Sequence, residues 1–155
     1  MKALTIWQPW ASLIMVGAKP HEFRGRSYLE YSGHPAVGDR VVIHAGARPI
    51  RPAEVDDLLE RLGGDDDKTG LVVDKARELL LRVKQAFKCR ALPLGAGLGT
   101  ATIGKPILSC DLYGLTVEDS DRGEFNWAWP LSAITPFDAP IEARGMQGFW
   151  QWSRT

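Results

Sequence analysis

The sequence predicts an α+β fold, a small β-barrel with helices packed against it. Helical periodicity is confined to a short stretch near the N-terminus and to about 50–90, whereas everything from Pro93 onward reads as short strands punctuated by glycine. Helices inserted among short, mostly antiparallel strands do not alternate with them as a parallel sheet would require. The chain has 155 residues, 45% hydrophobic and 25% charged, enough for one self-sufficient core and typical of a globular protein. No internal repeat or linker breaks it, so residues 1–155 are expected to form a single domain.

Each element has a local reason. "KALTI" (2–6) reads as a short strand. Pro9 then stands where a first helical turn accepts it, and Trp10, Leu13 and Ile14 keep helical spacing up to a stop at Gly17. "HEFRGRSYLEY" alternates loosely, as a strand with one exposed face does, and "GDRVVIHAG" (38–46) is a buried strand launched from a Gly-Asp turn. "RPAEVDDLLERLGG" is a helix with Pro52 near its start, Val55, Leu58, Leu59 and Leu62 as its stripe, and Gly63 at its end. After the "DDDKTG" loop a second helix is expected at about 72–88, with Val73, Ala76, Leu79, Leu80, Val83 and Phe87 inward. Lys75, Arg82, Lys84 and Lys88 take its polar positions. The strands that follow are "LGAGLGTATIG", "PILSCDLYG", "FNWAWPLSAITPF", "PIEA" and "GFWQWS". Glycines at 95, 97 and 99 predict close strand approach, a bulge or a barrel corner.

Charge and cysteine usage narrow the function classes. Formal net charge is zero, which argues against a binder with a large polybasic surface. The charge is segregated, with six Lys/Arg against three acids over 19–51 and seven acids against one Arg over 52–67. Cys89 and Cys110 make a poor disulfide framework, and the opening "MKALTIWQPW" does not read as a signal peptide, so a reduced cytoplasmic setting is expected. No apolar run approaches a membrane span. No two-ligand spacing such as CxxC or HxxxH occurs among His21, His34, His44 and the cysteines, so neither metal nor cofactor is expected. "GAGLG" leads into a strand rather than a helix and is not a dinucleotide loop.

One constellation survives. If 21–26 is extended, Glu22, Arg24 and Arg26 point to one face, His21 and Phe23 to the other, with Lys19 in the turn just ahead. Guanidinium forks match phosphate or carbonyl pairs, and a carboxylate accepts from an exocyclic amine, so this face suits an anion or a nucleobase edge. The alternative is a charge ladder on a solvated strand. Six tryptophans come in three pairs, Trp7/Trp10, Trp127/Trp129 and Trp150/Trp152. Indoles stack bases in single-stranded sites but are more often core, and Trp7, beside Gln8, is the one expected to be partly exposed.

"ALTIWQPWASLIMVGAKPHEFRGRSY" resembles the opening of the ASCH domain family. The resemblance continues in "VGDRVVIHAG", "LPLGAGLGTATI", "LSCD", "FNWAWPLS" and "APIEARGMQGFWQW", leaving only about 50–90 unmatched as a variable helical insertion. It implies a PUA-like fold, a small β-barrel flanked by helices, with a cleft for RNA or a modified nucleobase. It also implies that the residues matching Gly17, Lys19, Glu22 and Arg24 floor that cleft, with Gln8 and Trp10 nearby. His44 agrees with the "IHA" of such proteins and is either a cleft residue or a hydrogen-bonded core histidine. Some ASCH proteins are amidohydrolases acting on N4-acylated cytidine through a Lys, a Thr and a Glu, and others are described as single-strand ribonucleases. Here Glu22 stands where the amidohydrolases carry Thr, Trp7 where relatives often have a basic residue, and Arg26 where many have Trp.

Three readings follow. In a binding module Lys19 and Arg24 hold phosphate or carbonyl oxygen, Glu22 accepts from an amine, Trp7 or Trp10 stacks, and Lys84 and Lys88 add non-specific attraction. In a hydrolase Lys19 is base or nucleophile, Glu22 shuttles the proton and Arg24 stabilises an oxyanion. In a protein-interaction domain the cleft is vestigial.

Overall fold

The computed structural model describes residues 1–64, 69–86, 92–116 and 125–153. Among them are strands β1 (Lys2–Ile6), β2 (His21–Arg24), β3 (Arg40–Ala45), β4 (Ala96–Ile103), β5 (Ile107–Leu108), β6 (Trp127–Glu142) and β7 (Phe149–Gln151). The helices are α1 (Trp10–Met15), α2 (Pro52–Arg61), α3 (Val73–Gln85) and α4 (Ser109–Tyr113), with a 3₁₀ turn at Tyr28–Glu30. One mixed sheet runs in the order β2-β6-β4-β3-β1-β7, with β5 also against β6. β1 and β3 are parallel and the other pairs antiparallel. The sheet curls into a half-barrel, as an α+β barrel flanked by helices requires.

Glycine and bulges produce the curl. Register slips occur between Ile43 and His44 and between Gly97 and Gly99, and Ala133 of β6 takes a φ of 46°. A Cβ on Gly97 would lie 2.5 Å from the Trp152 ring, and one on Gly99 would lie 2.6 Å from the Thr135 carbonyl oxygen. The glycines read as a barrel corner in the sequence therefore sit where neighbouring groups press on the backbone.

Alternation places the core on both faces of the sheet. Leu4, Ile6, Val41, Ile43, Ala101, Ile103 and Trp129 face Ala11 and Ile14 of α1, while Ala3, Val42, Trp150 and Trp152 pack on the other side. Helix α1 is shared. Leu13 and the following Ala18 join a separate cluster with Val55, Leu58, Ala76, Leu80 and Val83 of α2 and α3. Gly17, at φ 70°, ends α1 and lets the Ala18 and Lys19 amides both reach the Leu13 carbonyl.

Three expectations need correction. The strand read through "HEFRGRSYLEY" stops at Arg24, because Ser27 and Glu30 form a capping box that turns the chain into the 3₁₀ element. In "PILSCDLYG" only Ile107–Leu108 is strand. Helix α4 follows, closed by Gly114 at φ 64°. "FNWAWPLSAITPF" and "PIEA" contribute to one bulged 16-residue strand, β6. The basic face of α3 is partly spent, since Lys84 pairs with Asp56 of α2 at 2.8 Å and Arg82 pairs with Glu78 at 3.9 Å. Phe87, Lys88, Cys89 and most of "DDDKTG" lie outside the described residues. No helix among the described residues is long and apolar enough to cross a membrane.

Gly99→Ala is expected to destabilise by about 2 kcal/mol, because the new methyl meets backbone of β6 that cannot swing aside. In calorimetry that is a Tm lower by roughly 4–8 °C, while Gly25→Ala, which has open space at Cβ, leaves Tm unchanged. A Gly99→Ala melt superposing on wild type would refute this packing.

Candidate functional site

The site forms where β1 hands over to α1 and α1 hands over to β2. Gln8 is buried here, its Oε1 accepting from the Ser12 amide (3.1 Å) and its Nε2 donating to Ser12 Oγ and the Pro93 carbonyl (both 2.9 Å). Both ends of the carboxamide are engaged, so Gln8 pins the helix start rather than facing a ligand. Trp10, two residues on, remains at the cavity wall.

Lys19 emerges from the Gly17 turn and is only 6% exposed. Its Nζ donates to the His21 carbonyl at 2.8 Å and lies 3.4 Å from Glu22 Oε2. The rings of Trp10 and Phe23 cover it, at 5.2 and 5.1 Å from their centroids. Burial pushes the Lys19 ammonium below its usual pKa, with the Glu22 carboxylate pulling in the other direction. Glu22, itself buried, accepts on Oε1 from Arg24 Nε at 2.8 Å. The Arg24 guanidinium reaches out past the Trp129 ring, 5.9 Å from its centroid. Strand pairing fixes this order, with Glu22 opposite Trp129 and Arg24 opposite Trp127. Lys19, Glu22 and Arg24 thus form a contiguous cation–anion–cation row.

Beside the row is a cavity of about 910 Å³ whose wall includes Trp7, Trp10, Glu22, Arg24, His44 and Arg144. Lys19 does not line it, lying behind Trp10 and Glu22. Arg26 is not part of the row. The strand has ended by then, and its guanidinium rests over Tyr31, 4.3 Å from the ring centroid and away from the cavity wall. Trp7 is the exposed indole of the set at 58%, with Arg48 stacked on one face at 4.5 Å.

Around His44 the cavity lining is hydrogen-bonded through neutral groups. His44 Nε2 contacts the Ala143 carbonyl at 2.9 Å, which can only accept, so that nitrogen carries the proton. Nδ1 then accepts from Thr5 Oγ (3.3 Å), which itself accepts from Trp150 Nε1 (3.0 Å). Gly145 lies flat against the imidazole, where a Cβ would come 2.7 Å from Nδ1. His44 is therefore both of the things its sequence context allowed, a hydrogen-bonded buried histidine and a cavity-lining residue. Burial pushes its pKa down, as it does that of His21.

Arg48, Thr5 and the 143–148 strap with Arg144 were not singled out from sequence as site residues. The available signals were "HAGAR", which puts an arginine just after the β3 end, and the glycine-bracketed "ARGMQG". Among the described residues no cluster of three His, Cys, Asp or Glu side chains is placed to hold a metal ion.

The two depressed histidines set a pH dependence. Unfolded histidine titrates near its ordinary value of 6.5 and these two below it when folded. As pH falls below about 6.5 the unfolded chain takes up protons that the folded one resists, so stability declines. His44→Asn should flatten that decline in urea titrations between about pH 5 and 7. A slope equal to the wild type's would mean His44 protonates freely in the fold.

No family model and no curated protein matches the chain. Among solved structures it is similar to the crystal structure of ASCH from Zymomonas mobilis, with TM-score 0.50 and 16% identity over 99% of this chain and 87% of that one. A mutant of that Zymomonas mobilis protein matches with TM-score 0.50 and 17% identity over the same shares. At such identities the likeness is one of fold alone. The chain has an ASCH-like fold.

Proposed function

We propose that the cleft binds an amine-bearing nucleobase of single-stranded RNA. The observation that carries this reading is the Glu22 carboxylate, buried in a cavity wall and oriented by a cation on each oxygen. A carboxylate offers about four acceptor positions, and Lys19 and Arg24 take one on each oxygen, leaving others for a ligand N–H. An exocyclic amine on a base edge matches such an acceptor, and the terminal nitrogens of Arg24 match a neighbouring ring nitrogen or carbonyl. Trp10 and Trp7 supply π-faces, and the exposed Arg144 supplies a cation for phosphate. The shared ASCH-like fold is consistent with a nucleic-acid ligand but does not identify one.

A hydrolase built on Lys19 has one observation in its favour, the depressed pKa of a buried amine beside a carboxylate. Geometry weighs against it. The amine is covered by the Trp10 and Phe23 rings, donates to the His21 carbonyl and does not line the cavity. A nucleophile has to touch the reacting carbon. Binding is the better-supported reading.

Tryptophan fluorescence titrations should find cytidine- or adenosine-rich single strands bound roughly tenfold more tightly than uridine-rich ones. Glu22→Gln, checked for folding by circular dichroism, should erase most of that preference. Equal affinity for all three in the wild type would refute Glu22 as the reader of an amine. Neither N4-acylated cytidine nor single-stranded RNA should be hydrolysed. Turnover that disappears in Lys19→Ala would replace the binding reading with the hydrolase.

A further inference from the structure

We propose that Trp7, backed by Arg48, is a second base-stacking subsite, so that the cleft takes two consecutive nucleotides of a single strand rather than a lone base. This rests on the reading of the cleft as a nucleobase site and adds the size of its ligand. Trp129 and Trp150 are buried, whereas Trp7 stands 58% exposed at the cavity wall. An indole left largely in water contributes little to folding at that position.

Trp7 is nevertheless held in place. Its edge lies on bare backbone at Gly46, where a Cβ would come 2.9 Å from Cδ1. The Arg48 guanidinium covers one face at 4.5 Å and is fixed in turn by Glu54, which accepts from Nη2 at 2.7 Å. Glu54 is itself tied to the start of α2, accepting from the Arg51 amide at 2.8 Å. Arg48 Nε is buried with no hydrogen-bond acceptor, the one such side-chain atom among the described residues. Contact with the ring and with Glu54, rather than full satisfaction of its own donors, therefore sets where this arginine lies.

The result is a rigid, cation-backed aromatic plate at the mouth of a site that already has Trp10 and Glu22 in its wall. At about 910 Å³ the cavity lies toward the upper end of the range for small-molecule sites, roughly 300–1,000 Å³. Arg144 lines the same cavity and has no ion-pair partner among the described residues, leaving its charge for the phosphate that joins two nucleosides. Stacking successive bases on separate aromatic faces beside basic side chains is how single strands are held without duplex geometry.

The experiment compares cytidine 5′-monophosphate with the dinucleotide CpC on the full chain at one salt concentration, by calorimetry. The mononucleotide carries the greater charge per phosphate, so tighter binding of CpC cannot come from charge alone. Wild type should bind CpC about tenfold more tightly. Trp7→Ala should bring the ratio to within about twofold, and Trp7→Phe should keep part of it. The exposure of Trp7 leaves both variants folded, which an unchanged melt checks. Equal binding of the two ligands by wild type, or a ratio preserved in Trp7→Ala, overturns the second subsite while the nucleobase reading stands. Binding of neither ligand by wild type overturns both.

Discussion

The buried ammonium of Lys19 is the constraint on which the cleft depends. A charge only 6% exposed costs several kcal/mol unless it is paired and hydrogen-bonded, and its partners here come from both α1 and β2. The Gly17 turn brings the chain back under α1, the His21 carbonyl and Glu22 come from β2, and the Trp10 ring comes from the first residue of α1. Satisfying one amine therefore locks helix, turn and edge strand together. It also fixes the Glu22 carboxylate, whose second oxygen is held by Arg24. A well-packed apolar pair often serves stability equally well at such a position. What the charged row adds is an ionised acceptor of fixed orientation in the wall of a cavity.

The cavity lining around His44 obeys the same requirement with neutral groups. Trp150, Thr5, His44 and the Ala143 carbonyl form a chain of donors and acceptors in which each hydrogen has a destination. Because Ala143 begins the strap that carries Arg144, the imidazole ties an exposed cation to the barrel. Gly145 is flush against that imidazole, so the strap approaches the sheet more closely than any side-chain-bearing residue permits. The cavity thus combines the paired charges of Glu22 and Arg24, a neutral hydrogen-bonded network around His44, and the exposed cation of Arg144.

How much of this was legible in the sequence depended on the range of the interactions involved. Period-two alternation from His21 to Arg24 was enough to put Glu22 and Arg24 on one face, and helical spacing with a glycine stop was enough to place α1. Arg26 leaves that face, because alternation carries no information about where a strand ends. That was decided by the Ser27–Glu30 capping box, a signal present in the sequence but competing with a plausible strand pattern. Lys19 was expected in the cleft floor and lies one layer behind it, since a linear reading cannot tell which side chain of a cluster is covered by another's ring. Arg48 and Arg144 are only faintly signalled in the sequence, for a different reason. They reach the site from loops that only the order of strands brings together, β1 beside both β3 and β7.

The zero net charge of the chain also takes on a different meaning once the pairs are placed. Lys84 is neutralised by Asp56, Arg82 faces Glu78, and Arg48 is held by Glu54, so the helical segment presents less free positive charge than its composition suggests. Among the described residues, the cationic groups bordering the cavity are few, chiefly Arg24 and Arg144. On the proposed reading, a site with so few cations gains little from counterion release and draws its affinity from stacking and from base-edge hydrogen bonds. Those contributions depend on the chemistry of the base rather than on the length of the polyanion. If the cleft binds a single strand as proposed, the arrangement therefore favours a short, chemically selected segment over general attraction to nucleic acid.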